Sequence, residues 1–230
     1  MAVCCSLPSG KVVVVIPCFN EEKYIAPLVY EALLYVDEVV VVDNLSTDYT
    51  AAAAHSAGAR VCHCSTKGMG DATRMGIAHS GDAEIIVTLD GDGQHNPNDI
   101  PKLVRAVVDG ADLALGVRSA VGMPLYRRVG NLAIVLATCI GSKKWLSDAQ
   151  CGMRAFNQAV AGIRTTEIGF GCITELIIKA RKAGCRIEPV EVSCLYHGGL
   201  HENSTINPVV QGVSVLLQTI RWRIWEHLGV

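Results

Sequence analysis

Val12-Val13-Val14-Val15-Ile16, closed by Pro17-Cys18-Phe19-Asn20-Glu21, decides the fold class of this 230-residue chain. Five consecutive β-branched residues leave no polar face, so their strand must be buried on both sides, the habit of parallel sheets. Helical periodicity follows from Glu21 to Tyr35. Val39 to Val42 is a second such run, ending in Asp43-Asn44, with Ser46 or Thr47 able to cap a helix through His55. Ala59 to His63 reads as a third strand, Gly68 to Ser80 as a loop leading into a helix, and Glu84 to Leu89 as a strand ending in Asp90-Gly91-Asp92-Gly93-Gln94-His95. Asn96-Pro97 then caps a helix with Ile100, Leu103, Val104 and Val107 on one face, and Asp112 to Gly116 forms one more strand. This alternation predicts an α/β domain with a mostly parallel central sheet and helices on both faces. One domain accounts for the chain to about residue 197, followed by a loop and a C-terminal amphipathic helix over 198–230.

Composition narrows the function. Half the residues are apolar, 18% are charged and the formal net charge is -2. A general nucleic-acid binder would carry a basic excess, and no nucleic-acid partner is expected. The N-terminus lacks the charged, then apolar, then small pattern of a signal peptide, which predicts a cytoplasmic chain. Val129 to Ser142 is free of charge but falls short of the roughly 20 residues a membrane span needs. Ten cysteines at positions 4, 5, 18, 62, 64, 139, 151, 172, 185 and 194 contain no C-x-x-C pair. They read as small, reduced core residues rather than a zinc site; in Cys62-His63-Cys64, strand alternation sends the histidine away from the sulfurs.

The acids gather where the strands end. In an open α/β sheet, ligands bind beyond the carboxyl ends of the strands. Asp43 follows the second strand, Asp90 and Asp92 the fourth, and Arg118 the fifth. Two carboxylates one small residue apart can share a hard cation, with Gln94 offering a further oxygen. Mg²⁺ or Mn²⁺ takes such ligands and completes its shell with substrate phosphates. A Ca²⁺ loop of the EF-hand type does not fit, because a strand precedes the turn and its twelfth position holds no Glu. Pro17 to Glu21 opens a helix whose N-terminus could receive the polar groups of a nucleotide, or could simply be a capped turn. Asp43 could accept from a ribose or base, or cap the next helix.

The ordered motifs I-P-C-F-N-E, V-V-D-N, G-M-G-D-A-T-R-M-G, T-L-D-G-D-G-Q-H, G-V-R-S and D-A-Q-C-G-M-R-A-F resemble glycosyltransferase family 2, over roughly Val12 to Tyr196 in one register. Within it the chain is most similar to the polyprenyl- and dolichyl-phosphate hexose synthases. The resemblance implies a GT-A fold and an inverting, metal-dependent hexosyltransferase that uses a GDP- or UDP-sugar, GDP-mannose first and UDP-glucose next. By position, Pro17, Asn20, Glu21, Asp43, Gly70, Asp90, Gly91 and Arg118 would hold the donor. Asp90, Asp92 and Gln94 would hold the Mg²⁺ or Mn²⁺. Asp92, Arg118, Arg128 and Asp148 would act in catalysis, with Asp148 open between base, orienter and structural cap. Arg127, Arg128 and Arg154 would meet the acceptor phosphate. Cys151 and Met153 stand where many relatives have Ser and Phe, a departure that bears on packing.

For the acceptor, the resemblance implies a polyprenyl phosphate at the cytosolic membrane face. Val129 to Ile140 is an apolar helix directly after the arginine pair, suited to a prenyl chain or to ordinary core packing. Val209, Val213, Leu216, Leu217, Ile220, Ile224 and Leu228 share one helical face near the C-terminus. With Trp222, Trp225, Arg221 and Arg223 nearby, that helix could lie on a bilayer as a peripheral contact, or dock on the domain or a second subunit. His197 to Asn207 reads as a loop able to close over the acceptor. The rival readings are a family 2 transferase with a small-molecule or protein acceptor, and a non-catalytic nucleotide-sugar binding partner.

Overall fold

The structure, a computed structural model, describes residues 10–119, 125–139, 145–195 and 208–228. Seven strands form one sheet in the order β3-β2-β1-β4-β6-β5-β7. The strands are β1 (Val12–Cys18), β2 (Glu38–Asp43), β3 (Arg60–His63), β4 (Ile85–Thr88), β5 (Leu113–Arg118), β6 (Arg154–Asn157) and β7 (Ile187–Val192). The helices are α1 (Glu22–Ala32), α2 (Thr50–Ser56), α3 (Met69–Ala78), α4 (Ile100–Val108), α5 (Leu125–Cys139), α6 (Gln158–Ala161), α7 (Gly171–Lys182) and α8 (Pro208–Leu228).

The apolar runs behave as their chemistry demands. Along β1, Val12, Val14 and Ile16 enter one core and Val13 and Val15 the other, all fully buried. Each such side chain contributes about 1.5–3 kcal/mol of transfer free energy. Helices α1, α2 and α4 cover the first face through Ile25, Leu28, Ala54, Ile100 and Leu103. Helices α3, α5, α7 and α8 cover the second through Ala72, Ile134, Ile173 and Val215. Helix α3 comes so near the sheet that a Cβ on Gly76 would lie 2.2 Å from Val15 Cγ1, which explains the glycine.

β6 runs antiparallel between β4 and β5, with Thr88 opposite Arg154 and Leu113 opposite Phe156. Its four residues, Arg-Ala-Phe-Asn, hold no β-branched run, so pattern alone does not mark it; β7, α6 and α7 are likewise additions to the sequence reading. This strand carries the preceding Gln150-Cys151-Gly152 segment to the end of β4, where Thr88 Oγ1 donates to the Gly152 carbonyl at 3.0 Å. Helix α2 begins at Thr50, with Ser46 and Thr47 in the loop before it. Asn96 caps a single 3₁₀ turn, Pro97–Asp99, that leads into α4. The expected acceptor loop, His197 to Asn207, lies outside the described residues.

Candidate active site

Chain order reverses between β1 and β4, since β2 lies to one side of β1 and β4 to the other. That opens a crevice at their carboxyl ends. Asp90 stands two residues beyond β4. Gly91 is wedged against β1, where a Cβ would come within 2.6 Å of Cys18 Sγ. Gly93 turns the chain with φ +69°, and Asp92 Oδ1 accepts the Gln94 N–H at 3.0 Å. From the far edge, Leu195 N–H donates to the Gln94 carbonyl at 2.8 Å and pins the turn. Gly152 backs onto Asp90 so tightly that a Cβ would stand 1.9 Å from Asp90 Oδ2.

The crevice is strongly anionic. Burial, then the charges of Asp92, Asp48 and Asp90, push the Glu21 carboxyl up to about 8. Burial pushes the Cys18 thiol well above its usual range, with Glu21, Asp43, Asp90 and Asp92 adding to the effect. His95 is buried beneath the turn, its Nε2 3.9 Å from Asp90 Oδ2. Burial lowers its pKa, and its Nδ1 has no hydrogen-bond partner among the described residues.

No three His, Cys, Asp or Glu side chains converge as a closed cage among the described residues. Two carboxylates on an open turn suit instead a Mg²⁺ or Mn²⁺ ion, which commonly fills its shell with substrate phosphate and water. The mutual repulsion around Glu21 is what a cation would relieve. These residues fit the metal.

Across the crevice, Arg118 at the end of β5 meets Asp148. Its Nε–H donates to Oδ2 at 2.7 Å and its Nη2–H to Oδ1 at 3.1 Å. Asp148 is buried, and its Oδ1 also accepts the Gln150 N–H at 2.9 Å. That leaves an arginine oriented by a carboxylate, aimed from the strand ends where a ligand would sit.

The glycosyl transferase family 2 profile matches residues 13–162. The chain belongs to glycosyl transferase family 2. It is 32% identical to uncharacterized protein MJ1222 of Methanocaldococcus jannaschii, over 94% of this chain and 93% of that one. It is 28% identical to a UDP-N-acetylglucosamine–dolichyl-phosphate N-acetylglucosaminyltransferase of Methanococcus voltae, over 79% and 84% respectively. In fold it is similar to glucosyl-3-phosphoglycerate synthase of Mycobacterium tuberculosis, solved with Mn²⁺, UDP-glucose and phosphoglyceric acid. That match has a TM-score of 0.77 at 22% identity and covers 95% of this chain and 80% of that one. The mostly parallel seven-stranded sheet is the expected GT-A architecture.

Other residues expected in this family 2 site are distributed unevenly. Asp43, buried at the end of β2, accepts the Ser46 N–H at 3.2 Å and faces His63 Nδ1 at 3.2 Å. Pro17 lies in β1 opposite Val42. Around the α1 N-terminus three N–H groups are already met by side chains of the loop before α2. Asn20 N–H donates to Ser46 Oγ at 3.0 Å, Glu21 N–H to Thr50 Oγ1 at 2.7 Å and Glu22 N–H to Asp48 Oδ2 at 3.2 Å. Asn20 Oδ1 in turn accepts the Thr47 N–H at 2.8 Å.

Arg154 is 2% exposed. It lines a cavity of about 310 Å³ with Gly70, Thr73, Arg74 and Cys172, and its Nε has no partner among the described residues. It therefore does not share the exposed position of Arg128, in the first turn of α5; the Arg127 side chain and Ile140 lie outside the described residues.

The C-terminal helix docks on the domain, one of the readings its sequence left open. Val213, Leu217, Ile220, Ile224 and Leu228 form an exposed stripe, but Trp222 and Arg223 turn inward and are buried. Helix α8 packs on α5 and α7. Thr219 Oγ1 donates to Thr174 Oγ1 at 3.0 Å, and Trp222 Nε1–H donates to Glu167 at 2.9 Å. Glu167 escapes a sequence reading because no motif surrounds it. Asn44, the last residue of V-V-D-N, accepts from Gly68 N–H at 2.7 Å and donates to the Thr66 carbonyl at 2.6 Å, tying β2 to the approach of α3. For Gly152, the glycine inside Gln-Cys-Gly-Met was the available signal.

Proposed function

We propose that the chain moves a hexose from a GDP- or UDP-sugar to a polyprenyl phosphate at a membrane surface, with inversion at the sugar. In this reading Asp90 and Asp92, with Gln94, would hold a Mg²⁺ or Mn²⁺ ion, which would supply charge neutralisation for a departing diphosphate. An acceptor phosphate oxygen attacks the anomeric carbon; the carbon–oxygen bond to the diphosphate breaks, and the nucleoside diphosphate leaves with the electron pair. Arg118, steered by Asp148, stabilises negative charge on the phosphates it faces. Such an acceptor is already anionic near neutral pH, so no general base is required. That suits Asp148, whose oxygens are engaged by Arg118 and the Gln150 N–H.

One observation carries the lipid acceptor. Helices α5 and α8 expose adjoining apolar stripes: Leu125, Val129, Leu132 and Leu136 on the first, and Val210, Val213, Leu217, Ile220, Ile224 and Leu228 on the second. They meet in a groove lined by Leu136, Ala137, Ile220, Ile224 and Leu228. α5 follows Arg118 in the chain and bears exposed Arg128 in its first turn. An apolar surface beginning at an arginine matches a lipid phosphate with its chain laid along the protein. No helix among the described residues is long and apolar enough to span a membrane.

The test is to incubate purified chain and Mn²⁺ with polyprenyl phosphate in vesicles and labelled GDP-mannose, UDP-glucose or UDP-N-acetylglucosamine. Label entering the organic phase from one donor, and absent with Asp92→Ala, supports the reaction and names the donor. Label appearing in a water-soluble product overturns the lipid acceptor and leaves the transferase reading in place.

A further inference from the structure

Helix α8 reaches the donor side of the molecule through one side chain. Trp222, buried on the inner face of α8, donates its indole N–H to Glu167 Oε1 at 2.9 Å, and Arg221 Nη2 lies 3.4 Å from the same oxygen. Glu167 belongs to the loop between α6 and α7, which crosses the first turn of α3. Its carbonyl accepts from Arg74 Nη1 at 2.9 Å, and the Ile168 carbonyl accepts the Gly70 N–H at 2.6 Å. The approach is close: a Cβ on Gly70 would stand 2.1 Å from the Glu167 carbonyl oxygen, and one on Gly68 2.3 Å from Ile168 Cγ2. Gly68 N–H continues the path to Asn44 Oδ1 at 2.7 Å, and Asn44 directly follows Asp43 at the end of β2.

Glu175 already holds the backbone of this loop. Fully buried on α7, it accepts the N–H groups of Thr166 and Glu167 and pairs with Lys179. The Glu167 carboxylate adds a second hold, from α8, whose opposite face is the exposed apolar stripe. A buried carboxylate is retained at a cost unless donors satisfy it, and here the donors come from Trp222 and Arg221.

We propose that Glu167, held by Trp222, is a positioning residue for the nucleotide-sugar donor. It draws the 167–168 backbone against Gly68 and Gly70, so the seating of α8 sets how these glycines stand beside Asp43 and Asn44 at the end of β2, where the donor would bind. This rests on the transferase reading given above.

The test measures binding of UDP and of GDP, each with Mn²⁺, by calorimetry on the full chain. It compares wild type with Trp222→Phe, Glu167→Gln and the control Trp225→Phe. Trp222→Phe keeps the ring and removes only the N–H. The expected result is a roughly five- to tenfold weaker Kd for the favoured diphosphate in the first two variants, and a wild-type value in the control. A purely structural contact would lower Tm and the fraction of competent sites while leaving Kd unchanged, and that result overturns the inference alone. Wild-type chain that binds neither diphosphate overturns the transferase reading and the inference together.

Discussion

Asp148 grips Arg118 through both carboxylate oxygens, at 2.7 Å to Nε and 3.1 Å to Nη2, although thirty residues separate them. The pair is bidentate and the acid is buried, so the guanidinium has little freedom to swing. Asp148→Asn keeps the shape and weakens the grip. Turnover at saturating donor should fall roughly a hundredfold, while UDP–Mn²⁺ or GDP–Mn²⁺ affinity stays within about threefold, because Arg118 is misdirected rather than lost. Equal turnover in mutant and wild type would show that Arg118 needs no such guide.

Gly152 is set by Asp90. A methyl at 152 would occupy the space of the Asp90 carboxyl, at 1.9 Å from Oδ2 and 2.1 Å from Cγ. Gly152→Ala should weaken Mn²⁺ binding by about ten- to a hundredfold, in line with displacing a ligand's support. Electron paramagnetic resonance titration of Mn²⁺ reads this directly, and far-ultraviolet circular dichroism checks that the fold persists. Unchanged Mn²⁺ affinity would mean Asp90 is not a ligand.

Asp99 fastens the segment after β7 to the start of α4. It accepts the Ser193 N–H at 2.6 Å and pairs with Lys102. Burial would raise its pKa, but the hydrogen bonds from Lys102 and Ser193 outweigh it and hold the carboxyl below the usual range. A folded pKa below the unfolded value of about 3.9 gives stability that is fully present above that value and lost as pH falls through the folded pKa. Asp99→Asn should therefore lower Tm by about 2–4 °C at pH 7. The gap should close toward pH 2, which calorimetry across pH will reveal; a gap independent of pH would assign the loss to packing.

The two faces of α8 should respond in opposite ways. Leu217 and Ile224 are more than half exposed. The double variant Leu217→Glu, Ile224→Glu should keep its Tm within about 2 °C, yet lose at least about tenfold in co-sedimentation with anionic vesicles. Trp222→Glu would bury a charge beside Glu167 and should unfold α8 instead. Sedimentation unaffected by the double variant would remove the membrane role of this face.

The sequence by itself determined the elements whose burial is written into local composition. Val12 to Ile16 and Val39 to Val42 can form only strands covered on both faces, and the helix of Ile100, Leu103, Val104 and Val107 can bury only one side. The acids after these strands therefore had to gather at one sheet edge, which made Asp90 and Asp92 legible. Tertiary structure alone decided what lies opposite them. Arg-Ala-Phe-Asn has no pattern of its own, and becomes β6 because β4 and β5 leave it unpaired edges on both sides. That insertion brings Gly152 to Asp90 and Asp148 to Arg118. On α8 the same helical period produces both an inner and an outer apolar face, and periodicity cannot say which one the domain covers. The hydrogen bond from Trp222 to Glu167 chose the inner face, because a buried indole N–H and a buried carboxylate each need the other.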